Sequence, residues 1–206
     1  MSDTQNCLLS ARPDIKIIAK WIKESSQILD LGCGEGELLS YLKQEKNAHG
    51  YGLEIDEEKI TRCIENGVNV IEQNLDDGLS NFKTKSVDTV VMTQALQAVR
   101  RPDLMLEEML RIGNEAIITF PNFGYWRTRL YLASKGRMPM SKTLPYHWYD
   151  TPNIHFFTFN DFEDLCKKKN IKVLNRAVMD DEYNKHWSIQ MWPAMLGEFA
   201  VYHITR

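Results

Sequence analysis

Residues 28–39 constrain the fold of this chain most strongly. They read Ile-Leu-Asp-Leu-Gly-Cys-Gly-Glu-Gly-Glu-Leu-Leu. Branched apolar residues surround one acid, Asp30, which predicts a buried parallel strand. Gly32, Gly34 and Gly36 follow, and a helical pattern of leucines begins after them. Because glycine permits positive φ and close approach to the main chain, this order predicts a strand, a tight turn and a helix N-terminus at a ligand site.

The spacing of the glycines narrows the class of ligand. Dinucleotide-binding turns read G-x-G-x-x-G, whereas this turn reads G-x-G-x-G with an acid two residues before it. The charge of Asp30 would repel a pyrophosphate, so a nicotinamide oxidoreductase is disfavoured. A ligand with a positive centre, such as the amino group or sulfonium of S-adenosylmethionine, suits the turn better. The alternative is an ordinary strand-to-helix turn that binds nothing.

A second acid follows the next predicted strand. Residues 50–56 read Gly-Tyr-Gly-Leu-Glu-Ile-Asp. An acid at the end of the second strand, here Glu54, is placed to hold both ribose hydroxyls of a nucleoside. The alternative is that Glu54 and Asp56 only favour the N-terminus of the next helix. We assign Glu54 to the ribose and Asp56 to the helix.

A third acid, Asp76, follows a predicted strand at residues 68–73. It could receive the amino group of adenine, although Asn74, Asp77 and Gly78 around it are also typical of a plain turn. The joint placement of three acids at consecutive strand ends is more specific than any one of them. It resembles the class I S-adenosylmethionine-dependent methyltransferases.

The resemblance implies a role for each part of the pattern. The glycines would contact the methionine part of the cofactor, Asp30 would face its amino end, and Leu75 would meet the adenine beside Asp76. Cys33, inside the turn, is more typical of a small packing thiol than of a nucleophile. The predicted residues for binding S-adenosylmethionine or S-adenosylhomocysteine are Asp30, Gly32, Cys33, Gly34, Gly36, Glu54, Ile55, Leu75, Asp76 and Thr93.

Length and composition favour a globular chain of one domain, residues 1–206. An apolar content of 43% with 26% charged residues is ordinary for such a domain, and a net charge of −3 gives no argument for nucleic acid. The four cysteines show no C-x-x-C pair, so neither a metal site nor a disulfide framework is indicated. No secretory signal or membrane span is predicted, which favours the cytoplasm.

Strands and helices alternate through residue 120. Helices are predicted from Pro13, Glu57 and Pro102, and further strands at residues 87–93, 116–120, 171–179 and 198–204. With the resemblance, this order predicts an α/β, Rossmann-like class I methyltransferase fold. Its seven-stranded, mostly parallel sheet would carry helices on both faces, with the last strand antiparallel beside the sixth. Asn160 is predicted to cap the helix before the sixth strand, and residues 180–197 carry no prediction.

Two further positions could contact a methyl acceptor. Thr93 and Gln94 end the strand at 87–93, where ligands of open α/β sheets bind, although Thr93 could equally cap a helix.

His147, Asp150 and His155 are weak candidates for a general base. Turn formation around Asp150 and packing of the histidines against aromatic residues are the more usual roles.

Residues 121–160 form a predicted insertion after the fifth strand. The segment holds about half of the chain's aromatic residues and the basic residues Arg127, Arg129, Lys135, Arg137 and Lys142. Aromatic side chains and arginine are enriched in the cores of protein interfaces, and aromatic side chains also line pockets. The alternative is a lid packed on the sheet with its basic groups in solvent.

The insertion also carries a closer resemblance. Pro-Asn-Phe-Gly-Tyr-Trp at 121–126, Gly-Arg-Met-Pro at 136–139 and Leu-Pro-Tyr-His-Trp-Tyr-Asp-Thr-Pro-Asn-Ile-His at 144–155 are similar to the methionine-biosynthesis protein MetW family, as is the segment at 93–102. The resemblance covers about residues 12–181. It implies a partner and activator of homoserine O-acyltransferase (MetX-type) that holds an S-adenosylmethionine-type ligand. An active methyltransferase on a small molecule is the alternative.

Overall fold

The computed structural model describes residues 12–141, 144–180 and 187–206. Strands and helices alternate along them as predicted. The strands are β1 (Gln27–Leu31), β2 (His49–Glu54), β3 (Val70–Glu72), β4 (Val87–Thr93), β5 (Gly113–Pro121), β6 (Lys172–Met179) and β7 (Phe199–Thr205). The helices are α1 (Pro13–Trp21), α2 (Glu37–Lys46), α3 (Glu57–Glu65), α4 (Pro102–Ile112), α5 (Trp126–Lys135), α6 (Phe159–Lys168), α7 (Trp187–Met191) and α8 (Pro193–Leu196).

All seven strands form one sheet in the order β3-β2-β1-β4-β5-β7-β6. The pairs from β3 to β5 are parallel, and β7 runs antiparallel between β5 and β6. The predicted seven-stranded, mostly parallel sheet and its antiparallel last strand are therefore confirmed. The strand order reverses between β1 and β4, and in open α/β sheets such a reversal leaves a crevice at the carboxyl ends of the strands.

Helices cover both faces of the sheet because the side chains of its strands alternate. In β1, Leu29 and Leu31 enter a core that includes residues of α4 and α6, whereas Ile28 enters a second core with residues of α1, α2 and α3. All three side chains are fully buried. Burial of such a side chain is worth about 1.5–3 kcal/mol, so β1 is held from both sides.

Three local predictions differ from the structure. Thr158, not Asn160, caps α6: its side chain accepts from Asp161 N, and its own N–H donates to the Asp161 carboxylate at 2.9 Å. The reason is that Phe159 is already helical and buried, which leaves Asn160 inside the first turn. β3 is shorter than predicted, and β5 begins at Gly113, directly after α4.

The insertion consists of α5 and a long connection to α6. Basic residues of this segment that the structure describes, among them Arg127, Lys135 and Arg137, are exposed, while Lys142 lies outside the described residues. Several large apolar side chains are exposed as well: Leu130, Tyr131, Met140, Tyr146, Trp148, Tyr149 and Ile154. No helix in the described ranges is long and apolar enough to span a bilayer.

Candidate functional site

A cavity of about 600 Å³ opens at the carboxyl ends of β1, β2 and β4. This is the crevice that the reversal of strand order predicts, and its volume lies in the range of small-molecule sites. Eight of the ten predicted cofactor residues line it: Gly32, Cys33, Gly34, Glu54, Ile55, Leu75, Asp76 and Thr93. Asp30 and Gly36 are not part of the lining.

The glycine turn is fixed by the neighbouring strand. The N–H groups of Gly32 and Cys33 both donate to the Leu53 carbonyl, at 2.9 and 3.0 Å. Gly34 has a φ of 59°, and a Cβ built on it would meet no protein atom within 4 Å. A Cβ on Gly36 would instead crowd Val68 and Cys63. Gly34 therefore leaves room for a ligand, whereas Gly36 leaves room for the packing of the protein itself.

Glu54 joins β2 to the glycine turn. Its Oε2 accepts from Gly34 N at 2.9 Å, and its Oε1 accepts from the N–H groups of Ile55 and Asp56 at 2.9 and 3.2 Å. The residue is 8% exposed and lines the cavity. Because each carboxylate oxygen has two lone pairs, Oε2 retains capacity for a donor from a ligand. These backbone bonds hold the carboxylate in one orientation.

Asp30 is a buried acid behind the cavity. It is fully buried in β1, and neither carboxylate oxygen has a hydrogen-bond partner among the residues described. Burial raises the pKa of Asp30 from 3.8 to about 7; Arg12 opposes the rise, and Glu54 adds to it. Both of these neighbours line the cavity, so the charge of Asp30 and the charge of a ligand there would influence each other.

Arg12 is a cavity residue that the sequence did not reveal. It lies just before α1, donates to buried Asp14 at 2.9 Å, and contacts Glu37 at 3.3 Å. Burial works against its charge, but the hydrogen bond to Asp14 and the surrounding carboxylates raise the pKa of Arg12 above its ordinary value. The guanidinium is therefore a permanent cation at the edge of the cavity and suits a ligand carboxylate.

The far end of the cavity is formed after β3. Leu75 and Asp76 lie in a short 3₁₀ turn, three residues beyond the strand rather than at its last residue. Oδ1 of Asp76 accepts from Arg100 N at 2.8 Å, and Oδ2 lies 3.5 Å from the Arg100 guanidinium. Asp76 thus links the turn to the segment after β4 while it lines the cavity.

Cys33 packs beneath the turn. Its Sγ lies 3.7 Å from Cys63 Sγ, and Cys63 Sγ donates to the Gly34 carbonyl at 3.1 Å. Burial raises the pKa of both thiols, so they are poor nucleophiles. Gly52 faces Cys33, and any Cβ there would collide with the sulfur.

The three weak candidates for a general base do not line the large cavity. His147 stacks on Tyr149 with ring centroids 5.3 Å apart, Asp150 is exposed, and His155 Nε2 lies 3.3 Å from the Arg100 carbonyl. Pro152 and Asn153 from the same loop do reach the cavity wall. Over the described ranges, no three His, Cys, Asp or Glu side chains are grouped to hold a metal ion.

Comparison of the sequence with known protein families shows which family this chain belongs to. The family model of methionine biosynthesis protein MetW matches residues 12–204. The chain belongs to the MetW family. A curated relative, the bifunctional methionine biosynthesis protein MetXA/MetW of Rhodopirellula baltica, is 34% identical over an alignment of 197 residues that covers 91% of this MetW-family chain. The match takes up 32% of that relative, so the chain spans about a third of its length.

Solved structures show the fold of this MetW-family chain. An S-adenosylmethionine-dependent methyltransferase of Thermotoga maritima, described as a possible histamine N-methyltransferase, has a TM-score of 0.65 at 19% identity. The match covers 95% of this chain and 89% of the Thermotoga maritima chain. One of Aquifex aeolicus has a TM-score of 0.61 at 17% identity and covers 100% of both chains. At these identities the likeness shows the fold alone, and it confirms the predicted class I methyltransferase architecture.

Proposed function

We propose that this MetW-family chain is an accessory protein of methionine biosynthesis that partners and activates a homoserine O-acyltransferase of the MetX type. The observation that carries this proposal is the Rhodopirellula baltica relative, whose name joins MetXA and MetW in one bifunctional protein. Two units that are fused in one organism often act together as separate chains in another. The acyltransferase itself would supply the chemistry.

The cavity in this proposal binds S-adenosylmethionine or S-adenosylhomocysteine. The carboxylate of Glu54 would accept from the ribose hydroxyls, and Asp76 with Leu75 would meet the adenine. Arg12 supplies the cation that pairs with the ligand carboxylate, and the negative potential of Asp30 favours the ligand amino group. The charges at the cavity match those of the ligand, which supports this assignment. Arg12 would pair with the ligand carboxylate, Asp30 would favour the ligand ammonium group, and Glu54 would accept from the ribose hydroxyls.

The insertion supplies the contact surface. We define the insertion surface as Tyr131, Tyr146, Trp148, Tyr149 and Ile154; Trp148 and Tyr149 are 73% and 68% exposed. Exposed groups of large apolar side chains mark interaction sites. Pro152 and Asn153 belong to the same loop and line the cavity. Ligand occupancy and partner binding can therefore influence one another through this loop, provided the ligand prefers one arrangement of it.

Co-purification with the acyltransferase tests the proposal. The acyltransferase is assayed alone, with this protein, and with this protein plus S-adenosylhomocysteine. We expect a stable complex, a higher acyltransferase rate with this protein, and a rate that changes again on addition of the ligand. Failure to form a complex, or an unchanged rate in every mixture, contradicts the partner role.

A methyltransferase acting on a small molecule is the second candidate. The observation in its favour is that Thr93 and Gln94 line the cavity at the carboxyl end of β4, where an acceptor would lie. Methyl transfer to a reactive acceptor can depend mainly on proximity and alignment. A screen of acceptors for S-adenosylhomocysteine release separates the two functions, because the accessory role predicts no turnover with any of them.

A further inference from the structure

The tripeptide Arg-Pro-Asp occurs twice in the chain, at residues 12–14 and 101–103. Each copy begins a helix, α1 in the first case and α4 in the second, with proline at the start of the helix. The arginine before it has nearly the same backbone in both copies, with φ −130° and ψ 67° for Arg12 and φ −129° and ψ 74° for Arg101. The two copies therefore form one local motif in two different surroundings.

The motif holds its arginine by a forked pair with the aspartate two residues on. Nε of Arg12 donates to Asp14 Oδ1 at 3.1 Å, and its Nη2 donates to Asp14 Oδ2 at 2.9 Å. The corresponding distances from Arg101 to Asp103 are both 2.9 Å. A forked pair fixes the plane of the guanidinium as well as its position. In both copies the arginine is thus oriented by the start of its own helix.

The surroundings of the two motifs differ. The Arg101 side chain is 64% exposed and lies outside the large cavity. The Arg12 side chain is 27% exposed and lines that cavity, and the side chain of its partner Asp14 is fully buried. Burial of paired charges costs desolvation free energy. At α1 the fold bears this cost and places an oriented cation on the wall of the ligand cavity.

Asp14 leaves part of the guanidinium available to a ligand. The group carries five N–H donors. Asp14 accepts from Nε and from one N–H of Nη2, and Glu37 accepts from one N–H of Nη1 at 3.3 Å. Within the ranges that the structure describes, one N–H on each terminal nitrogen of Arg12 then has no acceptor. A ligand carboxylate can therefore bind Arg12 without displacing Asp14.

The main chain of Arg12 is fixed as well. Its carbonyl accepts from Ile15 N at 3.1 Å in the first turn of α1, and Ile15 and Ile18 anchor this helix as fully buried members of the core. An arginine side chain loses much rotamer freedom when it becomes immobilised. Because the fold has already restricted this freedom, less of it is lost when a ligand binds.

We propose that Asp14 is a positioning residue of the large cavity. It holds Arg12 in the orientation that receives the carboxylate of the ligand's amino-acid tail, and it thereby sets the selectivity for ligands that carry this tail. The inference rests on the proposed adenosyl ligand. Asp14 does not line the cavity, so it acts only through Arg12. Its loss should affect ligands with the carboxylate and spare those without it.

Calorimetric titration with S-adenosylhomocysteine and 5′-methylthioadenosine tests this role. Both compounds contain the adenosyl thioether, but only the first carries the amino-acid tail. Asp14→Asn should weaken binding of S-adenosylhomocysteine about 3- to 10-fold, because part of the rotamer freedom of Arg12 returns, and should leave the affinity for 5′-methylthioadenosine unchanged. Asp103→Asn is the same substitution in the second motif and should leave both affinities unchanged. A purely structural role for Asp14 would lower the melting temperature without a change in the ratio of the two affinities.

The outcomes separate this role from the adenosyl site itself. An unchanged affinity ratio in folded Asp14→Asn overturns the positioning role while the adenosyl site stands. If the unaltered protein binds neither compound, the adenosyl site fails, and the positioning role fails with it.

Crystals of the unaltered protein with and without S-adenosylhomocysteine decide the question even if Asp14→Asn does not fold. The expected result is a ligand carboxylate on the Arg12 guanidinium, with the forked pair to Asp14 present in both crystals. An Arg12 side chain that leaves Asp14 when the ligand binds, or a ligand carboxylate bound by other residues, overturns the positioning role.

Discussion

At the scale of single residues, the glycine turn and the proposed ribose contact both depend on Glu54. Its carboxylate already accepts from Gly34, Ile55 and Asp56, so its orientation is set before a ligand arrives. A preset acceptor loses little conformational entropy when a ribose hydroxyl binds. The sequence predicted Glu54 as the ribose contact, which stays a prediction, but it did not predict the hydrogen bond from Gly34 N, which joins residues 20 positions apart.

Glu54→Gln tests this residue with little change of shape. The amide loses the charge and one of the two acceptor atoms, so we expect S-adenosylhomocysteine binding to weaken by about 1.5–3 kcal/mol. Isothermal calorimetry measures the difference. Glu72→Gln is the matched control, since Glu72 pairs with Glu54 in the β2–β3 register yet is exposed and outside the cavity. Equal affinity of folded Glu54→Gln and Glu72→Gln would place the ribose elsewhere.

Asp30 predicts a pH dependence of stability. Its pKa is raised from 3.8 to about 7 in the fold by burial, so the folded state holds this proton more tightly than the unfolded state. The free energy of unfolding should therefore fall as pH rises from 3.8 to about 7, by up to roughly 4 kcal/mol for this group, and then level off. In denaturant titrations across this pH range, the free energy of unfolding of Asp30→Asn should fall less steeply with pH than that of the unaltered protein. An identical slope in the variant contradicts the raised pKa.

The same carboxyl couples ligand binding to pH. A ligand ammonium near the ionised form of Asp30 stabilises the charge and lowers its pKa. Binding of S-adenosylhomocysteine should then strengthen as pH rises from 6 towards 7, with release of a proton. Calorimetry in buffers of different ionisation enthalpy measures the proton release. If binding releases no proton, the ligand amino group does not lie near Asp30.

At the scale of elements, the strand, turn and helix at 28–39 were predictable because their signals are local. A run of branched apolar residues marks β1, glycine spacing marks the turn, and a helical pattern of leucines marks α2. Arg12 was not predictable as a cavity residue, since packing of α1 beside α2 brings it there from a position well before β1.

The turn itself can be tested against a matched glycine. Gly34 and Gly67 have φ values of 59° and 67°, and neither would place a Cβ within 4 Å of another protein atom. Alanine at either position should cost about 1–2 kcal/mol of stability, because the backbone is left-handed. Only Gly34 lines the large cavity, so Gly34→Ala should weaken S-adenosylhomocysteine binding at least about tenfold, whereas Gly67→Ala leaves it intact. Thermal unfolding and calorimetry together separate the two effects, and equal affinities would argue against ligand contact at the turn.

At the scale of the whole molecule, the loop that carries most of the insertion surface also reaches the cavity at the carboxyl ends of the strands, through Pro152 and Asn153. The alternation of strands and helices predicted the parallel part of the sheet, and the antiparallel seventh strand beside the sixth was also expected; the sheet confirms both. The path of the insertion was not, because aromatic residues without regular periodicity do not specify a backbone. The sequence does not distinguish the exposed aromatic rings of the insertion from buried ones such as Phe159, whereas the three-dimensional structure does.

The insertion surface predicts a loss of partner binding without a loss of fold. Trp148→Ala with Tyr149→Ala removes two exposed rings, so the melting temperature should change little. Binding to the acyltransferase should weaken at least about tenfold if these rings are central to the interface. Ile64→Ala, an exposed apolar residue on α3 that is 65% accessible, is the control. Full retention of the complex by the double variant would assign the interface to another surface.

The central claim is that the cavity at the carboxyl ends of β1 and β2 holds an adenosyl compound with an amino-acid tail. Calorimetric titration of the folded protein with S-adenosylhomocysteine, with NAD and adenosine in parallel, tests it most directly. We predict saturable binding of S-adenosylhomocysteine and none of NAD. Adenosine should bind more weakly, because it lacks the carboxylate that Arg12 would pair with and the ammonium group that the negative potential of Asp30 would favour. No heat from S-adenosylhomocysteine at millimolar excess, or preference for NAD, would contradict the account.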